Sequence, residues 1–351
     1  LAKGLAQLGH SLTFFERDVP YYGAYRDYTE LPNGRLSLYR TWEEVCAEAA
    51  TELALADAGI VTSYCHDAAV ATRVLFESPV PVRAFYDLDT PVTLARLEAG
   101  ESVDYLPSEG LGGFDVVLSF TGGAALQELQ TRLGARHTVP LYGGVDPQTH
   151  RPVPPEARFA AHLSYLGTYS ADRQRALEAL LLAAAAALPN RRFLLGGSLY
   201  PTDFPWSTNL FYFPHVAPPE HPAFYCSSPL TLNVTRGPMV AMGWCPSGRI
   251  FEAAACGVPV LSDVWSGLED FFEPGNEILL AQDTEQAIDI LSRPTSELSR
   301  IGEAARKRTL NEHTGVVRAR QLIEALDGAP QVTASNNVVT QSTREMTQCG
   351  E

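Results

Sequence analysis

The stretch WCPSGRIFEAAACGVPVLSDVWSGLEDFF, residues 244–272, decides how this chain is read. Residues 249–256 are helix formers, with Ile250 one turn from Ala254 and Phe251 one turn from Ala255. Ser247, after Pro246, stands at the N-cap position. Gly257 falls where a left-handed residue ends a helix, and Pro259 cannot extend it. Residues 258–261 then form a short buried strand with its proline at the start, and a second helix start follows. The helix carries one acid, Glu252, and one base, Arg249, a turn apart. One reading pairs them on a half-exposed face. The other makes the first turns a ligand site in which Glu252 accepts two ribose hydroxyls.

Working outward, residues 163–166, 193–195, 211–213, 230–234 and 277–281 read as further strands of the same unit. Helices are predicted over 172–187, 284–291, 295–309 and 314–326. The run LLLAAAAAL, residues 180–188, ends at Pro189 and is a buried helix, short of the ~20 apolar residues of a membrane span. Before it, residues 12–15, 60–63, 82–86, 116–119 and 138–141 read as strands. They alternate with helices near 41–58, 66–76, 92–99 and 124–133. This alternation predicts parallel sheets covered by helices. The proline-rich DPQTHRPVPPE, residues 146–156, is a linker between two such units. The expected division is 1–150, 151–313, a helix over 314–327 and a polar, aperiodic tail over 328–351. The chain opens on LAKGLAQLGHSLTFFERD, the end of an amphipathic helix and then a strand. A strand and loop before that helix are expected to be missing.

A net charge of -15 excludes a general nucleic-acid binder, which needs a basic face. It leaves room for a local arginine pocket suited to phosphate. The 6 cysteines include no C-x-x-C pair, which argues against structural zinc and predicts a reduced, cytoplasmic setting.

Chemistry-bearing residues fall at predicted strand ends, where parallel sheets bind ligands. Gly167-Thr168-Tyr169-Ser170, followed by Asp172-Arg173, joins a strand to a helix and suits a phosphate, or is an ordinary capped loop. Gly197 lies in Gly196-Gly197-Ser198, equally readable as a flexible loop. Arg236 follows a strand in Asn233-Val234-Thr235-Arg236 and is either a diphosphate contact or a surface arginine. Asp87 and Asp89 in DLD, and His66 beside Asp67, are acid/base candidates that also suit helix capping. Gly122-Gly123 permits close approach of a ligand or of the other unit. No G-x-S-x-G elbow or H-E-x-x-H motif occurs, so a hydrolase triad or zinc mechanism has no support.

These segments resemble family-1-type glycosyltransferases of the spore-maturation-protein CgeB-like branch. The resemblance is carried by RIFEAAACGVPVLSDVWSGLEDFFEPGNEIL, FYDLDTPVTLARLEAG, LSFTGG, SYLGTYSADRQ, LNVTR and Glu312-His313-Thr314. It implies a GT-B fold: two Rossmann-like domains with an interdomain cleft, and a last helix that crosses back to the first. It also implies that Glu252 holds the donor ribose. Gly167, Thr168, Ser247 and Arg249 would lie near the diphosphate, Arg173 and Arg236 would supply cations, and Tyr169 and Gly197 would line the same site. The implied reaction moves a hexosyl unit from a UDP- or GDP-type sugar to a hydroxyl of a polysaccharide or surface glycoconjugate. No metal and no bound cofactor are expected. For an inverting course the base candidates are Asp87, Asp89 and His66, in that order. Where many retaining relatives carry a second glutamate, eight positions before the ribose acid, this chain has Trp244. A GT-B epimerase and a non-catalytic nucleotide-sugar binder are the alternatives.

Overall fold

The structure is a computed structural model that describes residues 1–23, 26 and 29–330. The expected tail lies outside them from residue 331 onward. The strands are β1 (Leu12–Arg17), β2 (Gly34–Tyr39), β3 (Ala58–Thr62), β4 (Val82–Asp87), β5 (Val116–Ser119), β6 (Thr138–Pro140), β7 (Leu163–Leu166), β8 (Phe193–Gly196), β9 (Leu210–Phe213), β10 (Thr231–Asn233), β11 (Val260–Ser262) and β12 (Leu279–Leu280). All their pairings are parallel. The first half holds a two-stranded sheet, β1-β2, and a four-stranded sheet, β3-β4-β5-β6; the second half holds one six-stranded sheet, β12-β11-β10-β7-β8-β9. Counted outward from the β7–β10 neighbours, that is the strand order of a dinucleotide-binding sheet.

Strand alternation makes the second sheet two-faced. Leu163, Tyr165, Phe193 and Leu195 face a core shared with Leu177, Leu180 and Leu181. Leu194 and Val260 face the opposite core, with Ile250, Phe251 and Ala254. The decisive helix therefore spans Gly248–Ala255 and turns its apolar side fully into the second core. Gly257 stops it at φ 76°, and the Gly257 and Val258 amides bond back to the Ala254 and Ala253 carbonyls at 2.8 and 3.0 Å.

Three local expectations change. Residues 172–187 are helical throughout but pass through a π turn at Glu178–Leu182. The 34–39 strand and the short helices His221–Cys226 and Gly237–Met242 were not predicted. The helix expected after residue 265 is a single 3₁₀ turn, Leu268–Asp270.

Two features tie the halves together. The helix Gly315–Asp327 packs Ala319, Leu322 and Ala325 into one core with Leu5, Ala84, Val116, Leu118 and Leu141. The helix Ala2–Gln7 lies against its start so closely that a side chain at Gly4 would strike the Gly315 carbonyl. Trp244 is the second tie. Its backbone is left-handed at φ 45°, its carbonyl accepts from the Gly122 amide at 2.9 Å, and its indole fills the space that side chains at Gly123 and Gly267 would need. The Gly122-Gly123 pair thus receives the other half of the molecule.

His313 sits buried between the halves. Its Nδ1 accepts from Arg318 Nη2 at 2.8 Å, so Nε2 carries the proton and donates to the Phe271 carbonyl at 3.2 Å. Burial first, then the Arg318 charge, push its pKa down to about 4. A folded-state pKa below the unfolded value means that the unfolded chain binds the extra proton. The stabilisation is therefore intact above about pH 6.5 and lost as pH falls towards 4. Between pH 7 and 5 this group should cost about 2 kcal/mol of stability. Urea melts should show that loss in the wild type and a shallower pH slope in His313→Gln. Equal slopes would discard the assignment.

Candidate active site

The switch point between β7 and β10 opens beyond their carboxyl ends, and the arginines gather there. Arg249 Nη1 donates to Asn233 Oδ1 at 3.0 Å, and its guanidinium lies 5.2 Å from the Tyr165 ring centre. Its Nη2 occupies the space over Gly167, 2.8 Å from where a Cβ would stand. Arg173 Nη1 donates to the Thr168 carbonyl at 3.0 Å, while its buried Nε has no partner. Burial first, with the nearby Arg249 and Arg236 charges adding to it against the Tyr165 hydroxyl, holds Arg173 below the usual guanidinium range. A cation crowded by two others, with one donor unpartnered, suits a multiply charged anion.

The loops are drawn together around that point. The Gly167 amide bonds to the Gly196 carbonyl at 2.8 Å, the Tyr169 amide to the Ser198 carbonyl at 2.9 Å, and Tyr200 Oη to the Gly167 carbonyl at 2.8 Å. A side chain at Gly197, where φ is 137°, would collide with the Gly167 carbonyl. Gly197 thus serves the close approach of two loops. Ser247 sits at the N-cap of Gly248–Ala255, yet its side chain makes no capping bond. The Ile250 amide bonds instead to the Ser247 carbonyl at 3.1 Å, and the start of the helix faces the cleft without a side-chain cap.

Arg249 and Glu252 turn to different partners, so the salt-bridge reading fails. Glu252 Oε2 accepts from Tyr225 Oη at 2.9 Å. His221 Nδ1 and His150 Nε2 stand 3.9 and 4.0 Å from the same oxygen. Its other oxygen lies 3.8 Å from where a Gly248 Cβ would stand, beside the helix's opening turn. Behind the β10 loop, buried Asp263 accepts from the Thr235 amide and hydroxyl, each at 2.9 Å, and so fixes the segment that carries Arg236.

Across the cleft, Arg236 Nη1 reaches Asp89 Oδ2 at 3.4 Å while its Nε holds Asp172 Oδ2 at 3.1 Å. Asp89 stands at a helix N-cap but makes no capping bond. Its Oδ2 accepts from Tyr64 Oη at 3.2 Å, and its buried Oδ1 has no partner. Burial, partly offset by Arg236, raises its carboxyl above the usual range. Asp87 is sealed deeper, accepting from the Asp89 amide and Thr93 Oγ1, each at 3.1 Å. Burial raises it as well. His66 is exposed, and its neighbour Asp67 spends its carboxylate on Tyr39 and Arg17. Of the acid/base candidates, Asp89 is the one in contact with the opposite half. Sequence reading missed His150, His221, Tyr225, Tyr64 and Asp263. Only Asp263, directly after a strand in VLSD, carried a local signal.

Fold and site define the class: two parallel α/β units facing a cleft, with the cationic switch point in the second, are the GT-B architecture. The family model described as "Glycosyl transferase-like" matches residues 173–324, the part that carries Arg173, Arg236, Arg249 and Glu252. Among solved structures, HepE of Anabaena, crystallised with UDP and glucose, is similar at a TM-score of 0.65 and 15% identity, covering 93% of this chain and 95% of its own. Sucrose-phosphate synthase of Thermosynechococcus elongatus matches at 0.67 and 16%, covering 92% and 90%. A glycosyltransferase of Rickettsia africae matches at 0.60 and 12%, covering 93% and 92%. No curated protein sequence matches the chain.

Proposed function

We propose that the protein transfers a hexosyl unit from a nucleoside diphosphate sugar, of the UDP or GDP type, to a hydroxyl of a polysaccharide or surface glycoconjugate. The observation that carries this reading is the crowding of Arg173, Arg249 and Arg236 at the switch point, with the Arg173 Nε unpartnered. Three guanidiniums and an uncapped helix start offset a diphosphate leaving group without a bound metal or cofactor. Glu252, one helical turn further on, takes the ribose hydroxyls. Complexes of HepE with UDP-glucose and with UDP support a uridine donor by analogy of fold. The CgeB-like branch rests on the motifs quoted above. Among the described residues no helix is long and apolar enough to cross a membrane, and five cysteines are free thiols. The free thiols support our placing the enzyme in the reduced setting of the cytoplasm.

Asp89 is our candidate for the base of an inverting course. Burial lifts its affinity for a proton, and donor phosphate would draw Arg236 away from it. Asp87 is closed off and His66 lies apart from the arginines' contacts.

UDP released only in the presence of an acceptor supports transfer. An isomerised donor without acceptor indicates an epimerase, and binding without turnover a binding protein. Glu252→Ala should weaken UDP binding by roughly 1.5–3 kcal/mol, the range for hydrogen bonds to a charged group. Calorimetry on the folded variant measures it, and unchanged affinity would remove Glu252 from the site.

A further inference from the structure

His150, His221 and Glu252 come from three segments with no local reason to meet: the interdomain linker, the helix start after β9, and the decisive helix. Their side chains are 15%, 21% and 29% exposed, so the cluster is mostly shielded but open to solvent on one side. One ligand-type atom from each lies within 4.8 Å of the others. Neither nitrogen of the buried His150 ring has a hydrogen-bond partner. His221 Nε2 is 3.2 Å from the Val216 carbonyl, which cannot donate, so Nε2 bears a proton and, in the neutral ring, Nδ1 presents the lone pair. That lone pair faces the Glu252 carboxylate at 3.9 Å. Two electron-rich atoms opposed at that distance, with His150 Nε2 beside them, call for a cation.

We propose that His150, His221 and Glu252 bind one Zn²⁺-type divalent ion, and that this ion withdraws Glu252 from the nucleotide. Two imidazoles and a carboxylate suit Zn²⁺ and its neighbours, whereas Ca²⁺ and Mg²⁺ take oxygen ligands. The outer supports are already built: the Val216 carbonyl fixes the His221 tautomer, and Tyr225 Oη orients the carboxylate at 2.9 Å. Bonds of ~2.1 Å need only a small inward movement of the three side chains. The three arginines turn their guanidiniums to Asn233, Thr168 and Asp172. The ion is thus an inhibitor that acts on the ribose side of the site. This second half of the proposal rests on the ribose reading of Glu252.

The test uses the full chain in a Cys226→Ser background, because the thiols of Cys226 and Cys256 lie close enough to bind metal themselves. Nucleotide-free protein is titrated with CoCl₂, read by visible absorption, and with ZnCl₂, read by calorimetry. One ion should bind, and His150→Ala and His221→Ala should each weaken it at least tenfold. Circular dichroism confirms the fold, and either folded variant decides the question. No bound ion, or undiminished binding in a folded variant, overturns the site and leaves the nucleotide reading standing. UDP titrations with and without Zn²⁺ then test the competition. Zn²⁺ should weaken UDP binding at least tenfold in the parent and not in the histidine variants. Zn²⁺ bound with UDP affinity unchanged overturns the inhibition, whereas the ribose role of Glu252 stands or falls on Glu252→Ala.

Discussion

Arg249→Ala should lower the rate of transfer roughly 10²–10³-fold, the loss expected when one preorganised group facing developing charge is removed. Arg249 is held from two sides, by Asn233 Oδ1 at 3.0 Å and by the face of Tyr165, and its Nη2 occupies the space beside Gly167. On the reading proposed above, it would meet the departing diphosphate without having to be reorganised. Its removal also lowers the repulsion on Arg173, so UDP affinity should fall less than turnover. Arg249→Lys should recover only part of the rate, because an ammonium is a point charge that cannot bond Asn233 and a phosphate in one plane. Steady-state kinetics with saturating donor measure the effect. A folded Arg249→Ala with turnover intact would move the leaving-group site away from β7 and β10.

Phe251→Ala should destabilise the protein by about 3–5 kcal/mol, the range for emptying a buried aromatic site. Phe251 is fully buried on the decisive helix, and its ring centre lies 4.5 Å from that of His313, 5.9 Å from Phe272 and 6.1 Å from Phe271. The hole would open under the same helix that aims Arg249 and Glu252. Activity should fall before the protein unfolds. Chemical denaturation should show a lower midpoint at unchanged slope, and Phe251→Leu should recover most of the loss. A cost below about 1 kcal/mol would mean that the neighbours collapse into the gap.

The sequence was most informative where physics is local. Strands 116–119 and 163–166 are found to the residue because short, mostly apolar segments are followed directly by loop residues. Gly257 marks a helix end that only a left-handed residue allows. Strand β2 was missed although Leu36 and Leu38 alternate with Arg35 and Ser37, because the segment opens on a glycine and an arginine and is only six residues long. The helix His221–Cys226 was missed because two prolines precede its single histidine-proline start. Within the site, the loops at Gly167, Gly197 and Arg236 were legible as strand ends. The partners of their side chains were not. Arg249 chose Asn233 over Glu252, and Asp89 chose Arg236 over its own helix, through contacts set by packing between distant segments. His150 and His221 looked like ordinary polar residues until the linker and the β9 loop folded onto one carboxylate.

The helix Gly315–Asp327 has a consequence for how the chain is made. Leu5 and Val116 leave the ribosome long before Leu322 and Ala325, yet all four fill one core. The half synthesised first is thus the half completed last, and its apolar face must wait, exposed, while the second unit is translated and folds. Units fold in order of synthesis where they can. Here the order is reversed for one core, and a nascent chain stopped at the interdomain linker would present that face to chaperones or to other copies of itself.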